Sequence, residues 1–263
     1  MELKPIIEVK NLHFSYPKYK VLHGLDFELH QGEVVSLLGQ NGCGKSTLIR
    51  LILGLLKKDQ GDILLHNKDI KSYKQNEIAS QIAYIPQYHN VPFNYSVLDM
   101  VVMGRVFKMG LFASPGKHDI SMAKEALEKI GIADLQNKPF GQLSGGQKQM
   151  VLLARALTQE AKTFIMDEPV SGLDYGNQIR LLQMISSLSQ EGYTFLKTTH
   201  YPDHAMMVSS RVVSMKDGQI LLSGSPKEVI TSEMINNLYN IEAEIVHHNN
   251  NPLCVPSFSK KVL

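Results

Sequence analysis

One glycine-rich stretch, residues 39–47, has the residue types and spacing of a phosphate-binding loop. The pattern G-x-x-x-x-G-K-[ST] is satisfied by Gly39, Gly44, Lys45 and Ser46. Glycines let successive backbone N–H groups turn toward phosphate oxygens, and a helix that follows adds the positive end of its dipole. Lys45 supplies a charge for the β- and γ-phosphates, and the hydroxyl of Ser46 is a ligand for Mg²⁺. The stretch therefore predicts a nucleoside triphosphate site.

The sequence around this loop supports that interpretation over a glycine-rich turn of chance composition. The apolar run Val34–Leu38 predicts a buried strand before the loop, and residues 48–53 predict a helix after it. We expect the whole loop to contact nucleotide, and its other members are Gln40, Asn41, Gly42, Cys43 and Thr47. Cys43 is interpreted as a small residue that fills space rather than as a nucleophile.

A second candidate site is the acidic pair that follows the apolar residues 164–166. In enzymes with a phosphate loop, an Asp at such a strand end holds Mg²⁺, and a Glu after it orients the attacking water. Asp167 and Glu168 occupy these positions. Neighbouring residues at a strand end point in different directions, so the two carboxylates can have separate roles. A solvated loop after a strand is the alternative, and the phosphate loop elsewhere in the chain disfavours it.

The string Leu143-Ser-Gly-Gly-Gln147 resembles the signature motif of the ABC ATPase family. Other family motifs follow the same order along the chain, and the resemblance runs from about Ile7 to Glu242. The matching residues are Tyr16 for the aromatic that stacks on adenine, Gln87 for the Q-loop, Ser171–Asp174 for the D-loop and His200 for the switch histidine. Taken singly, Tyr16 could be a surface aromatic, Gln87 a loop amide and His200 a histidine satisfied near a sheet edge. Their shared order argues against chance.

The resemblance implies an ATPase that uses ATP and Mg²⁺ and works as a head-to-tail homodimer. Each ATP would lie between the phosphate loop of one copy and Ser144, Gly145, Gly146 and Gln147 of the other. A serine before two glycines at a helix start also predicts a second anion-binding helix end. The catalytic residues so implied are Lys45, Gln87, Glu168, Asp174 and His200, and the metal ligands are Ser46, Gln87 and Asp167.

The elements that must position these residues alternate along the chain between strands and helices. Further strands are predicted at 61–65, 82–85, 194–199, 211–215 and 218–222, and helices at 120–130, 145–157 and 177–189. Such alternation predicts a parallel sheet covered on both faces. The resemblance implies an α/β fold: a P-loop NTPase (RecA-like) core with an antiparallel β subdomain and an inserted α-helical subdomain.

We predict three parts in the chain. Residues 1–87 with 159–225 form the nucleotide-binding core, and residues 88–158 form the helical subdomain that carries the signature and the permease-coupling region. Residues 226–263 form C-terminal helices and an irregular tail, in which His247, His248 and Cys254 have no strong metal-binding spacing.

Composition narrows the class of protein. A net charge of +2 gives no reason to expect a nucleic-acid partner. Two cysteines are too few for a disulfide scaffold and fit a reducing compartment. The N-terminal residues lack the apolar core of a signal peptide, and no run of about eighteen apolar residues predicts a membrane span. We expect a peripheral protein on the cytoplasmic face of a bacterial or archaeal cell membrane.

The stretch after Gln87 indicates the kind of transporter. Residues 96–105, Ser-Val-Leu-Asp-Met-Val-Val-Met-Gly-Arg, and residues 224–229 are similar to importers of the metal-chelate class, which take up iron siderophores, haem, cobalamin or molybdate. We expect residues 88–105 to receive a separate permease, present in two copies, with Val91, Phe93 and Tyr95 as contacts; a mobile lid is the alternative. A substrate-binding protein outside the membrane would act through that permease.

Other classes of ABC ATPase are alternatives to a metal-chelate importer. A zinc or manganese importer shares parts of these patterns. ABC ATPases of DNA repair carry long coiled coils, and those of translation carry two cassettes, neither of which this sequence predicts. A cassette that binds without hydrolysis is disfavoured because the catalytic residue types are present. The sequence departs from the family at Thr163 and Lys197, polar residues in usually apolar strands, and at Tyr201, where an acid is frequent.

Overall fold

The computed structural model describes residues 5–87, 93–108, 114–248 and 251–257. Its strands are β1 (Ile7–Tyr16), β2 (Tyr19–Leu29), β3 (Val34–Leu38), β4 (Gln60–Leu65), β5 (Lys68–Asp69), β6 (Ile82–Ile85), β7 (Thr163–Met166), β8 (Thr194–Thr199), β9 (Arg211–Lys216), β10 (Gln219–Gly224), β11 (Ala243–His248) and β12 (Asn251–Pro256). Its helices are α1 (Lys45–Ile52), α2 (Gln75–Gln81), α3 (Val97–Val102), α4 (Lys117–Ile130), α5 (Gly145–Leu157), α6 (Tyr175–Gln190), α7 (Pro202–Val208), α8 (Pro226–Val229) and α9 (Ser232–Tyr239). Short 3-10 turns lie at Ile70–Ser72, Met103–Lys108, Ala133–Leu135 and Phe140–Gln142.

In the described ranges no helix combines the length and apolar character needed to cross a bilayer.

Contacts divide the chain into two compact units. The first unit joins Met1–Ile70 with Leu196–Leu263, and the second is Lys71–Phe195. The three-part division predicted from the sequence, with boundaries after residues 87, 158 and 225, stays a prediction.

The first unit contains an antiparallel sheet whose strand order is β2-β1-β4-β5. Strands β1 and β2 form a hairpin that pairs Ile7 with Leu29 at one end and Tyr16 with Tyr19 at the other. In the same unit β3 pairs in parallel with β9, and β9 pairs antiparallel with β10. All five residues of β3 are buried, as the continuous apolar run predicted for a covered parallel strand.

The C-terminal part of the first unit corrects the prediction of an irregular tail. β11 and β12 pair antiparallel, with Ile245 opposite Cys254. Ala243 is buried, and Ile245 and Cys254 pack against a core cluster. That cluster consists of Leu38, Ala205, Val212, Val229, Ile230, Met234, Ile235, Leu238 and Ala243. The hairpin forms because one of its faces covers apolar surface that α7 and α9 leave open.

The second unit combines the parallel pair β6 and β7 with several helices. Ile82 pairs with Thr163 and Ile85 with Met166, and every residue of β7 is buried. Helices α3, α4 and α5 pack on one another, within the region predicted as a helical insertion. Residues 88–92 and 109–113 of that region, including Tyr88 and Val91, lie outside the described residues.

Side-chain caps fix where three helices of the second unit begin. Ser96, Ser144 and Asp174 each accept a hydrogen bond from a backbone N–H three residues later, at the starts of α3, α5 and α6. These bonds satisfy donors that a helix start leaves without a partner. The predicted start of α5 after Ser144 is confirmed.

Candidate functional site

The predicted phosphate loop connects β3 to α1 in the first unit. Lys45 is the first residue of α1 and is only 5% exposed. Its ammonium group donates to the carbonyl oxygens of Gly39 at 2.8 Å and Gln40 at 2.9 Å. The charge of Lys45 is therefore held inside the curve of its own loop, beside the exposed Asn41 and Gly42. Such a fixed cation is suited to phosphate oxygens.

Steric contacts and backbone angles restrict which residues the phosphate loop can accept at its glycine positions. A Cβ at Gly39 would lie 2.3 Å from the carbonyl oxygen of Met215. Gly44 caps α1 with a φ of 107°, which side chains rarely allow. Burial raises the pKa of the Cys43 thiol, which keeps it protonated and unreactive. This agrees with the prediction that Cys43 fills space.

The turn between β9 and β10 supports the loop from behind. The N–H of Gly218 donates to the carbonyl of Cys43 at 3.1 Å, and the carbonyl of Gly218 accepts from the N–H of His23 in β2 at 3.1 Å. Gly218 has a φ of 74°, and a Cβ there would lie 1.9 Å from the carbonyl oxygen of Val21. Only glycine fits at this meeting of three segments. From the sequence, Gly218 is predicted as the first residue of the strand 218–222, and its support of the phosphate loop carries no sequence signal.

Tyr16 ends β1 at the tip of the first hairpin. Its ring meets the edge of Phe14 at a centroid distance of 4.9 Å and lies 5.5 Å from the ring of Tyr19. Tyr16 itself is partly exposed. An aromatic held in this way can stack on a planar base.

His200 follows β8, whose last residue, Thr199, accepts a hydrogen bond from the N–H of Gly39 at 3.4 Å. The predicted switch histidine thus lies one residue from the entrance of the phosphate loop. Its ring stacks on Tyr201 at 4.1 Å, and Tyr201 also lies 4.8 Å from His204. In β8 itself, Lys197 is 1% exposed, and burial lowers its pKa to about 7.

The second unit holds the acidic pair and the Q-loop glutamine together. Asp167 and Glu168 directly follow β7, and Asp167 is 5% exposed. The side-chain amide of Gln87 donates to Glu168 Oε2 at 3.2 Å and lies 3.4 Å from the hydroxyl of Ser171. Gln87 is therefore in contact with the carboxylate predicted to orient water. The bond between Gln87 and Ser171 was not foreseen from the sequence.

The signature residues form the exposed start of α5. The hydroxyl of Ser144 accepts from the N–H of Gln147 at 3.3 Å, and Gln147 Oε1 accepts from the N–H of Ser144 at 3.1 Å. This reciprocal capping box leaves Ser144 and Gly145 exposed at the positive end of a 13-residue helix. The geometry suits an anion approaching from outside the subunit.

Gly146 and Asp174 connect the signature to the start of α6. A Cβ at Gly146 would lie 2.3 Å from the side chain of Asn177. The carboxylate of Asp174 accepts from the backbone N–H of Asn177 at 3.0 Å and from its side-chain amide. These bonds, with the charge of Arg180 nearby, lower the pKa of Asp174. Asn177 is a supporting residue that sequence reasoning missed.

The predicted site residues fall into two described groups. In the first unit the phosphate loop and His200 are linked through Gly39 and Thr199, and Tyr16 lies on the neighbouring hairpin. In the second unit, Gln87 and Glu168 are in contact, Asp167 precedes Glu168, and the signature packs beside the helix that Asp174 caps. Each group carries polar and charged side chains suited to a bound phosphate.

The chain is similar to known proteins over most of its length. A sequence model described as ABC transporter matches residues 22–171. A protein assigned to iron chelatin transport, an ATP-binding protein of Helicobacter pylori, is 38% identical over 247 residues, covering 93% of this chain and 97% of its own. The manganese transport system ATP-binding protein MntB of Bacillus subtilis is 39% identical over 196 residues, covering 74% of this chain and 76% of its own. A solved inward-facing ABC transporter assigned to the metal-chelate type is 33% identical, has a TM-score of 0.85 and covers 97% of this chain and 98% of its own.

Proposed function

Because this chain belongs to the ABC transporter family, as an ATP-binding subunit that hydrolyses ATP to drive transport, we propose that it powers uptake of a metal-chelate substrate through a separate membrane permease. The full-length likeness to an iron chelatin transport protein and to a metal-chelate type transporter supports this class. The likeness to a manganese transport protein covers less of the chain, so a manganese importer is the weaker candidate.

ATP would be bound between two copies of the chain. The phosphate loop of one copy would hold the phosphates through Lys45 and its backbone N–H groups, and Tyr16 would stack on the adenine. The exposed helix start at Ser144 and Gly145 of the second copy would contact the γ-phosphate. A two-fold axis then makes two equivalent sites. The observation that supports this proposal most directly is the capped, exposed start of α5, an anion site facing away from its own subunit.

The chemistry of three predicted ligands fits Mg²⁺. The hydroxyl of Ser46, the amide oxygen of Gln87 and the buried carboxylate of Asp167 are the oxygen donors that Mg²⁺ prefers. When bound, the ion would neutralise charge on the phosphates. These three residues are the proposed ligands.

Hydrolysis requires a water aligned with the γ-phosphate. We assign that role to Glu168, whose carboxylate is oriented by the amide of Gln87 at 3.2 Å. His200 would contact the γ-phosphate from the end of β8, and Asp174, by capping α6, would fix the D-loop near the partner subunit. Each role places a group at the carboxyl end of a strand or the start of a helix, where open α/β sheets bind ligands.

Replacing Glu168 with glutamine tests the catalytic assignment. Glu168→Gln removes a proton acceptor but preserves shape, so we expect ATP binding to persist and turnover to fall by about 100-fold or more. The variant should elute as a dimer from size-exclusion chromatography with Mg-ATP, because bound ATP is no longer consumed.

The exposed Glu128 on α4 provides the control, since Glu128→Gln changes an acid to an amide away from the site. Undiminished turnover in Glu168→Gln would remove this residue from the mechanism. A monomer that binds Mg-ATP but never associates, with or without the permease, would overturn the shared-site proposal.

The permease would dock on the second unit, beside the Q-loop. A cleft of about 340 Å³ has Tyr84 and Pro86 on one side and Arg155 on another. The rest of its lining is Met103, Gly104, Val106, Phe107, Leu152, Ala156 and Gln159. Phe93 and Val106 are 67% and 57% exposed, and exposed apolar side chains that group together mark sites for a protein partner. We assign this surface to a cytoplasmic helix of the permease, which places the subunit on the cytoplasmic face of the membrane.

A further inference from the structure

The switch histidine is held by residues from the far end of the chain. Residues 199–203, here called the switch loop, run from the last residue of β8 into the first turn of α7. The hydroxyl of Tyr239, the last residue of α9, donates to the backbone carbonyl of His200 at 3.2 Å. The two residues are 39 positions apart, so the bond exists only if α9 packs against the switch loop.

A second bond reaches the other end of the same loop. The backbone N–H of Cys254, in β12, donates to Asp203 Oδ1 at 2.8 Å. Asp203 lies in the first turn of α7, where its carboxylate also favours the helix. The hairpin formed by β11 and β12 therefore holds the end of the switch loop, in the first turn of α7.

Apolar packing fixes the C-terminal elements that supply these two bonds. Leu238 and Ala243 are buried in one cluster with Ala205 of α7, and Tyr239 and Cys254 pack against it. The same cluster includes Leu38, the residue before the phosphate loop. Tyr239 is half-buried, so its hydroxyl has a defined position.

The His200 ring has one further restraint within the loop. Tyr201 stacks against it at 4.1 Å, and the Tyr201 N–H donates to the hydroxyl of Thr199 at 3.1 Å. The stack limits ring rotation, and the bond from Tyr239 limits movement of the backbone that carries the ring. Together they restrain the imidazole ring and the backbone that carries it.

We propose that Tyr239 is a positioning residue for ATP hydrolysis and that, with the contact between Asp203 and Cys254, it makes α9 and strands β11 and β12 a brace for the switch loop. This inference rests on the proposed contact between His200 and the γ-phosphate. Tyr239 does not touch nucleotide; it acts through the carbonyl of His200. Its effect belongs mainly to the catalytic step, because the Lys45 ammonium and the Tyr16 ring are held by contacts that do not involve Tyr239.

The test is Tyr239→Phe, which keeps the ring and removes the hydroxyl. Loss of one neutral hydrogen bond predicts a kcat about three- to tenfold lower. The KM for ATP should stay within about twofold, and the thermal unfolding midpoint should match that of Tyr193→Phe. Tyr193 serves as control because it belongs to the second unit, where its ring packs on Phe164 and lies under Lys162.

A second pair of variants separates positioning from general stability. Asp203→Ala removes the acceptor for the Cys254 N–H and should lower kcat, whereas Asp203→Asn keeps an oxygen acceptor and should restore most of it. An unchanged kcat in Tyr239→Phe would overturn the inference. So would a fall in kcat matched by an equal rise in KM and a lower unfolding midpoint, or equal losses in the alanine and asparagine variants.

His200→Ala distinguishes failure of this inference from failure of the proposed function. If His200→Ala keeps full turnover, the switch role itself is wrong, whatever Tyr239 does. If His200→Ala loses turnover while Tyr239→Phe and Asp203→Ala keep it, only the brace is wrong.

Discussion

At the scale of single residues, two glutamates adopt backbone angles that favour glycine. Glu168 has a φ of 45° and Glu160 a φ of 61°. A left-handed angle costs a non-glycine residue about 1 kcal/mol or more. At Glu168 this conformation turns the chain directly after β7 and presents the carboxylate to Gln87. At Glu160 it lets the carboxylate reach back to a buried arginine.

That arginine, Arg105, is the centre of an ion-pair network in the second unit. Its guanidinium bonds Asp119 at 3.0 Å, the carbonyl of Thr158 at 2.8 Å and Glu160 at 2.5 Å. Hydrogen bonds from Arg105 and then from Lys108 lower the pKa of Glu160 to about 2. The network ties the 3-10 turn Met103–Lys108, which lines the proposed permease cleft, to the ends of α4 and α5.

Glu160 predicts a pH-dependent stability. In the unfolded chain its pKa returns to about 4.3. The stabilisation is therefore complete above about pH 4.5, decreases as the pH falls toward 2 and is absent below that. Because Glu160 is nearly half exposed, we expect Glu160→Gln to lower the free energy of unfolding at pH 7 by only about 0.5–1 kcal/mol. In urea unfolding, the difference in free energy of unfolding between the parent and Glu160→Gln should be smaller at pH 3.5 than at pH 7. An equal difference at the two pH values would contradict this prediction.

At the scale of elements, the contact between α5 and α6 depends on Gly146. An added Cβ would lie 2.3 Å from the Asn177 Cγ and 2.7 Å from its Cβ, so Asn177 must move. Movement would weaken the bonds of Asn177 to Asp174 and Arg180. We expect Gly146→Ala to lower the free energy of unfolding by about 1–3 kcal/mol.

Gly145 is the matched control, because a Cβ there meets its nearest atom, Leu173 Cδ2, at 3.5 Å. Gly145→Ala should fold as stably as the parent in chemical denaturation. If both alanine variants have the same stability, the close contact with Asn177 is not a constraint.

Elements marked by local signals could be predicted from the sequence. The apolar run of β3 and the serine cap of α5 both depend on neighbouring residues, and both appear where the pattern placed them. β1 was not assigned, because register shifts between Val9, Leu12 and His13, with a left-handed Asn11, break the period-two alternation. β12 was missed because Pro252 and Pro256 usually argue against a strand.

The same distinction applies to the candidate site. The motif residues could be predicted because the chemistry of the site requires particular residue types at particular spacings along the chain. The residues that hold them could not, because Gly218, Asn177 and Tyr239 act through contacts that only folding creates. Tyr201 was visible as a departure from the family pattern, and the structure gives it a role as the partner of the His200 ring.

At the scale of the whole molecule, function depends on partners. If the surface around Phe93 receives the permease, a charge there should prevent docking without touching the catalytic residues. We expect Phe93→Asp to reduce substrate uptake by the reconstituted transporter by about tenfold or more, with basal ATPase of the isolated subunit unchanged.

Leu55 offers a comparison, since it is apolar, 53% exposed and in the other unit. Uptake should survive Leu55→Asp. Normal uptake by the Phe93→Asp transporter would exclude this surface as the docking site.

The glycine at the tip of the β9–β10 turn affects how the subunit would bind ATP and ADP. Gly218 bonds the phosphate loop on one side and β2, part of the hairpin that carries Tyr16, on the other. The phosphate loop and Tyr16 would thus bind the phosphates and the base of a nucleotide at a fixed separation. Cleavage of ATP to ADP would leave the contacts to the base and to the α- and β-phosphates unchanged. Only the contacts to the γ-phosphate would be lost. ADP could therefore remain bound to the subunit after the partner copy has dissociated.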